Sequence, residues 1–140
     1  MSGMDIKSLD QSFEKTKEWL KNYRDELHCE DEQEAYVAMR AVLHALRDRL
    51  PVEGAANLAA QLPMMLKGVY YESWKPENKP LKIRDQNEFF EKVASELPQN
   101  RQYDSKRITE SFMKVMKEHV SGGEIEEIKR FFPQDLDALL

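Results

Sequence analysis

The sequence has little of what most catalytic or membrane proteins carry. It holds a single cysteine, Cys29, in 140 residues. No internal disulfide can form, which points to a reducing, cytoplasmic setting. Its five glycines are scattered at Gly3, Gly54, Gly68, Gly122 and Gly123, so there is no Gly-rich loop to cradle a phosphate. No apolar run reaches the 18 or so residues that a membrane-spanning helix needs. The opening MSGMDIKSLDQSF has no apolar stretch of the kind a secretory leader shows. Cationic excess is missing too: 21 Lys and Arg face 26 Asp and Glu, a net charge of −5, which disfavours general nucleic-acid binding. No serine or cysteine sits in a nucleophile motif, and no segment alternates with the period of a strand.

What remains is helical periodicity over nearly the whole chain. Leu9, Phe13, Thr16, Leu20, Tyr23 and Leu27 form one stripe, flanked by Trp19. Asp31, with Glu34 three residues on, has the spacing of a capping box. The helix that follows runs to Leu50 and stops before Pro51. Its apolar side carries Ala35, Ala38, Met39, Val42, Ala45 and Leu46. Two short helical pieces, Val52–Leu62 and Met64–Trp74, are separated by Pro63. Residues 75–84, KPENKPLKIR, form a proline-broken linker. Asp85 caps the next helix, Asp104 or Ser105 caps another, and Gly122-Gly123 reads as the stop of that second one. The final residues repeat a short helix, Pro133 and a further short helix.

The second half copies the first with an offset of 70. Trp19 falls on Phe89, Leu20 on Phe90, Tyr23 on Val93, and Leu27 on Leu97. Val42 falls on Phe112, Leu46 on Met116, Leu58 on Ile128, Pro63 on Pro133 and Leu66 on Leu136, with no gap. The expected fold is all-α: two similar four-helix lobes from an internal duplication, 8–74 and 85–140, joined by the 75–84 linker and packed as one compact helical bundle. A four-helix unit of this size buries too small a fraction of its surface to be stable alone. Ala55, Ala56, Ala59 and Ala60 correspond to Ile125, Glu126, Lys129 and Arg130. The alanine-faced helix is therefore expected to be covered on more sides than its twin, by the other lobe or by a partner.

The run from Ala35 to Pro51, AYVAMRAVLHALRDRLP, continues through Ala55–Pro63 and Lys67–Pro76. On these residues the chain resembles the bacterial domain-of-unknown-function 2267 family over nearly its whole length. The resemblance implies an all-helical cytoplasmic bacterial domain and carries over no catalytic residue.

Three constellations merit a functional reading. Arg40, His44, Arg47 and Asp48 have spacings that let His44 touch Arg40 or Asp48 on one helix face, the arrangement of an oriented general base. That face lies opposite the apolar stripe, so a solvated charged face is expected. His28, Cys29, Glu30, Asp31 and Glu32 offer metal-ligand types without the paired ligands of a zinc site; no metal and no cofactor is expected. Tyr70, Tyr71, Trp74 and Lys75, followed by Lys79, Lys82 and Arg84, set aromatics beside cations. They suit an anionic ligand or an acidic peptide, or the aromatics pin the linker while the cations stay wet. The resulting expectation is a non-enzymatic protein- or ligand-binding module, using an inter-lobe groove or the Tyr70–Arg84 segment. The alternative is a small-molecule-binding protein or enzyme with a pocket near His44 or Tyr70–Trp74. A nucleic-acid partner is not expected.

Overall fold

The computed structural model describes residues 6–140, and among these it contains eight helices and no strand. They are α1 (Lys7–Leu27), α2 (Glu32–Arg49), α3 (Val52–Ala59), α4 (Met64–Tyr71), α5 (Gln86–Glu96), α6 (Ser105–His119), α7 (Gly122–Arg130) and α8 (Gln134–Asp137). Local chemistry sets most of the boundaries. The side chains of Asp31, Asp85, Asp104 and Ser121 accept hydrogen bonds from first-turn amides of α2, α5, α6 and α7, satisfying donors that a helix start leaves open. Pro63 and Pro133 precede α4 and α8 with φ of −56° and −66°, the angle their rings already impose. Gly122 and Gly123 do not stop a helix. They form the first turn of α7 behind the Ser121 cap, and no glycine among the described residues has positive φ. A serine with a free hydroxyl starts a helix more strongly than two glycines end one.

Helix α2 is the axis of the molecule. It packs against α1, α3, α4, α5 and α6, and every residue from Ala41 to Asp48 is buried. The core runs through Tyr23, Met39, Leu43, Leu46, Phe89, Phe112, Met113 and Met116. Tyr23 donates from its hydroxyl to the Ile108 carbonyl at 2.7 Å, and Tyr70 to the Ala55 carbonyl at 2.8 Å. Both large side chains are thereby buried without an orphaned hydroxyl.

The halves interleave. Helix α1 packs on α6 and α2 on α5, while α3 meets α7 and α2 meets α6. Exchanging each helix for its counterpart 70 positions along maps α1–α6 onto α5–α2, and α1–α4 onto α5–α8. The starts of α3 and α7, and of α4 and α8, differ by that same offset.

On α1 the buried face is Ser12, Thr16, Trp19 and Tyr23, rotated from the expected stripe toward Trp19. Ser12 lies inward because its hydroxyl accepts from the Met65 amide at 2.7 Å, which draws α4 close. Leu9 and Phe13 are each left 49% exposed. On α3 the buried side is Gly54, Ala55, Leu58 and Ala59, whereas Ala56 and Ala60 face solvent. α7, from the other half, packs against α3.

Gly54 is fixed by this contact. A Cβ built on it would lie 3.0 Å from Cε2 of Phe131. Gly54→Val should therefore cost about 1–3 kcal/mol through overpacking, although valine is the better helix former. Urea titration of the variant checks this; an unchanged midpoint would mean that the ring moves aside freely.

Candidate functional site

The polar residues of α2 are the natural place to look for chemistry, and α2 buries them. His44, Arg47 and Asp48 are 1%, 4% and 7% exposed, so the solvated face expected there does not exist. The helical wheel places them opposite the apolar stripe, but α4, α5 and the connector close over that side. His44 does not pair with Asp48. Its Nδ1 lies 3.1 Å from Oε1 of Glu96 on α5, and its Nε2 lies 2.8 Å from the carbonyl oxygen of Val69 on α4. Arg47 donates through Nη1 to the carbonyls of Tyr70 and Glu72, and through Nε to Asp48 at 3.0 Å. Lys92 of α5 completes the set, 3.4 Å from Asp48 and 3.1 Å from Glu96. Arg40, nearer the surface, binds the Glu72 carboxylate at 2.7 Å.

The arrangement has a plain physical purpose. A helix leaves its last carbonyls unbonded and carries partial negative charge at that end. α4 turns abruptly after Tyr71 and its C-cap residue, Glu72, leaves the helical region. Among its terminal acceptors, the carbonyls of Val69 and Tyr70, with that of Glu72, are met by two side chains from α2. The adjoining connector is held the same way: the Leu81 amide donates to the Asp48 carbonyl at 2.8 Å, and Arg49 Nε to the Ile83 carbonyl at 2.7 Å. The stripe that looked like a reactive set is a clamp.

The electrostatics agree. Burial alone would raise the Glu96 carboxyl, but hydrogen bonds from Lys92 and His44, with their charge, outweigh it and hold the group below its ordinary value. The Glu72 carboxyl is also lowered, by its hydrogen bond from Arg40 and that residue's charge. A depressed folded-state pKa contributes stability that is present above the unfolded value and lost as pH falls through the folded one. Glu96→Gln should thus flatten the acid limb of the stability profile. Thermal melts of both forms at falling pH read this out; parallel acid limbs would show that Glu96 is not a contributor.

The other predicted site residues are spread over one edge. Tyr70 is fully buried, and burial pushes its hydroxyl far above the usual tyrosine range. Tyr71 stacks edge-on against Tyr70 and packs on Trp74, with ring centroids 5.2 Å apart in both cases. Trp74 is half-buried and its indole Nε1 has no hydrogen-bond partner. Lys75, Lys82 and Arg84 are exposed and Lys79 is half-buried. Tyr70, Arg40 and His44 are joined through the end of α4, whereas Lys75, Lys79, Lys82 and Arg84 lie along the connector. In the His28–Glu32 loop, Asp31 caps α2 and Glu32 lies 3.4 Å from both Lys17 and Arg24. Burial together with Glu34 raises the Cys29 thiol.

Glu96, Lys92 and the α4 carbonyls belong to the clamp and escaped the sequence reading. The i,i+4 pair Lys92–Glu96 was visible on α5, but nothing local connected it to His44. His119, stacked on Trp19 at 4.6 Å and 2.8 Å from Asn22, was also missed. It edges a recess of about 360 Å³ with Gln61 and Pro63. Another recess, about 520 Å³, lies over the 97–103 loop and is open to solvent.

The outer surface carries one further feature. Ile6, Leu9, Phe13, Met64 and Met65 are each about half exposed, from 47% to 54%. Ile6, Leu9 and Phe13 share one side of α1's first turns. Ser12, next to Phe13, is bonded to Met65 at the start of α4, which brings the two apolar groups to the same edge.

A family model described as "Uncharacterized conserved protein (DUF2267)" matches residues 16–139. No curated protein matches the chain.

Proposed function

The chain belongs to the DUF2267 family, and from that premise we propose that it is a non-enzymatic protein-binding module whose docking edge is the apolar α1–α4 surface. The observation that carries this reading is the exposure of Leu9, Phe13, Met64 and Met65 around the Ser12–Met65 bond. Apolar side chains gathered at one edge, rather than scattered singly, mark interaction surfaces. Methionines suit such a surface because their unbranched, polarizable side chains adapt to a partner. The alternative, an enzyme working through His44, has no support in the site: the ring is buried and each of its nitrogens meets a protein acceptor.

The two halves are read as copies of one ancestral unit, supported by the matched prolines, the constant offset and the exchange of helix contacts. The lone Cys29 and the family resemblance support placing the protein in a bacterial cytoplasm.

The test is recovery of partners from a lysate of the source cells on immobilised protein. Phe13→Glu with Met65→Glu should abolish recovery while leaving the thermal melt near that of the wild type, since both side chains are half exposed. Charge reversal at Lys75 and Lys82 should leave recovery intact. If the pattern is reversed, the Tyr70–Arg84 segment is the binding surface, and a steep salt dependence would then mark an electrostatic partner. No dependence on either pair would remove the reading.

A further inference from the structure

His44 is 1% exposed and both of its ring nitrogens are engaged. The partner of Nε2 is the Val69 carbonyl oxygen, which can only accept. The partner of Nδ1 is Glu96, whose carboxylate also receives Lys92 at 3.1 Å. An ionised carboxylate accepts and does not donate. Two acceptors leave a neutral imidazole with one nitrogen lone pair facing an oxygen lone pair. Only the ring with a proton on each nitrogen satisfies both contacts.

The surrounding side-chain charges do not oppose that form. From α2 come Arg40, Arg47 and Asp48; beyond α4 comes Glu72; from α5 come Lys92 and Glu96. Three cations face three carboxylates, so this group of side chains is balanced without His44. What remains is the negative end of α4, whose Val69 carbonyl points at the ring.

We propose that His44 is held as an imidazolium and serves as a charge-gated latch, which fastens the end of α4 to α5 and opens when the ring loses a proton. The loss removes one of two donors. Either the Val69 carbonyl or the Glu96 carboxylate is then left facing a lone pair, and of the two α2 cations that meet carbonyls at the end of α4 only Arg47 remains. Contacts stacked on that end loosen with it: the Glu72 amide bonded to Val69, and the Trp74 amide bonded to Tyr71 at 3.0 Å. The device therefore governs how firmly the Tyr71–Trp74 turn is held, whatever binds elsewhere on the molecule.

The experiment uses the full chain labelled with nitrogen-15 and follows the ring nitrogens of its three histidines by NMR. At neutral pH His44 should show both nitrogens protonated. Amide exchange at Glu72 and Trp74 is recorded in the same samples as the pH rises. After correction for intrinsic exchange, protection at both amides should fall about tenfold or more, with the midpoint at which the His44 ring itself titrates. His28 and His119 serve as internal references. In His44→Gln the step should vanish. An unprotonated nitrogen on His44 at neutral pH overturns the proposal, as does a fall in protection that follows His28 or His119, or no fall at all. The wild-type readouts decide the matter even if the variant does not fold.

Discussion

Arg47→Ala lowers the free energy of unfolding by about 3–5 kcal/mol, the usual cost of removing one member of a buried ion pair. Arg47 is 4% exposed and its guanidinium answers three acceptors: the carbonyls of Tyr70 and Glu72 and the carboxylate of Asp48. Alanine leaves all three behind. Lys92 still reaches Asp48 at 3.4 Å, but the two carbonyls at the end of α4 lose this donor. Because small domains are stable by only about 5–15 kcal/mol, the variant should melt far below the wild type. Equilibrium urea titration measures the loss directly. Arg47→Met, which keeps the packing of the stem, should lose somewhat less, and its deficit isolates the polar part. A loss under about 1 kcal/mol for alanine would mean that solvent reaches the end of α4 and that the clamp is decorative.

Phe112→Ala should be comparably damaging, at about 3–5 kcal/mol, for a different reason. Phe112 is fully buried on α6 and packs edge-on against Tyr23 at 5.3 Å and beside Trp19 at 6.1 Å. These are contacts between α1 of the first half and α6 of the second. Truncation opens a cavity at the seam where the halves interleave, and the neighbouring rings are fixed by other bonds. Tyr23 is held by Ile108 and Trp19 is stacked on His119, so neither can collapse into the space. Phe112→Leu should cost much less, and chemical unfolding of the pair distinguishes cavity size from general sensitivity of the position.

What the sequence made legible follows from the range of the forces involved. Caps are local, so Asp31, Asp85 and Asp104 announced their helices, and Pro63 and Pro133 the starts of α4 and α8. The faces of helices depend on neighbours, and there periodicity misled. Leu9 and Phe13 have the spacing of core residues, yet α1 turns Ser12 inward because a serine can accept the Met65 amide where a leucine cannot. His44 and Arg47 sit opposite the apolar stripe of α2, which reads as a wet face unless one knows that a helix end lies over it. Their partners Val69 and Tyr70 are 25 and 23 residues away, and Glu96 is 52; a hydropathy pattern contains no information about such pairings. The aromatic cluster fared better, because Tyr70, Tyr71 and Trp74 are neighbours in the chain and pack where they stand.

The two halves of the chain pack on one another. α1 leans on α6 and α2 on α5, so each half is expected to need the other to fold. Cutting the chain within the connector, to give residues 1–78 and 79–140, tests this without altering a helix. Circular dichroism should show that neither fragment alone unfolds cooperatively, and that an equimolar mixture regains both helicity and a single transition. A first fragment that melted cooperatively by itself, near the midpoint of the intact chain, would contradict the account.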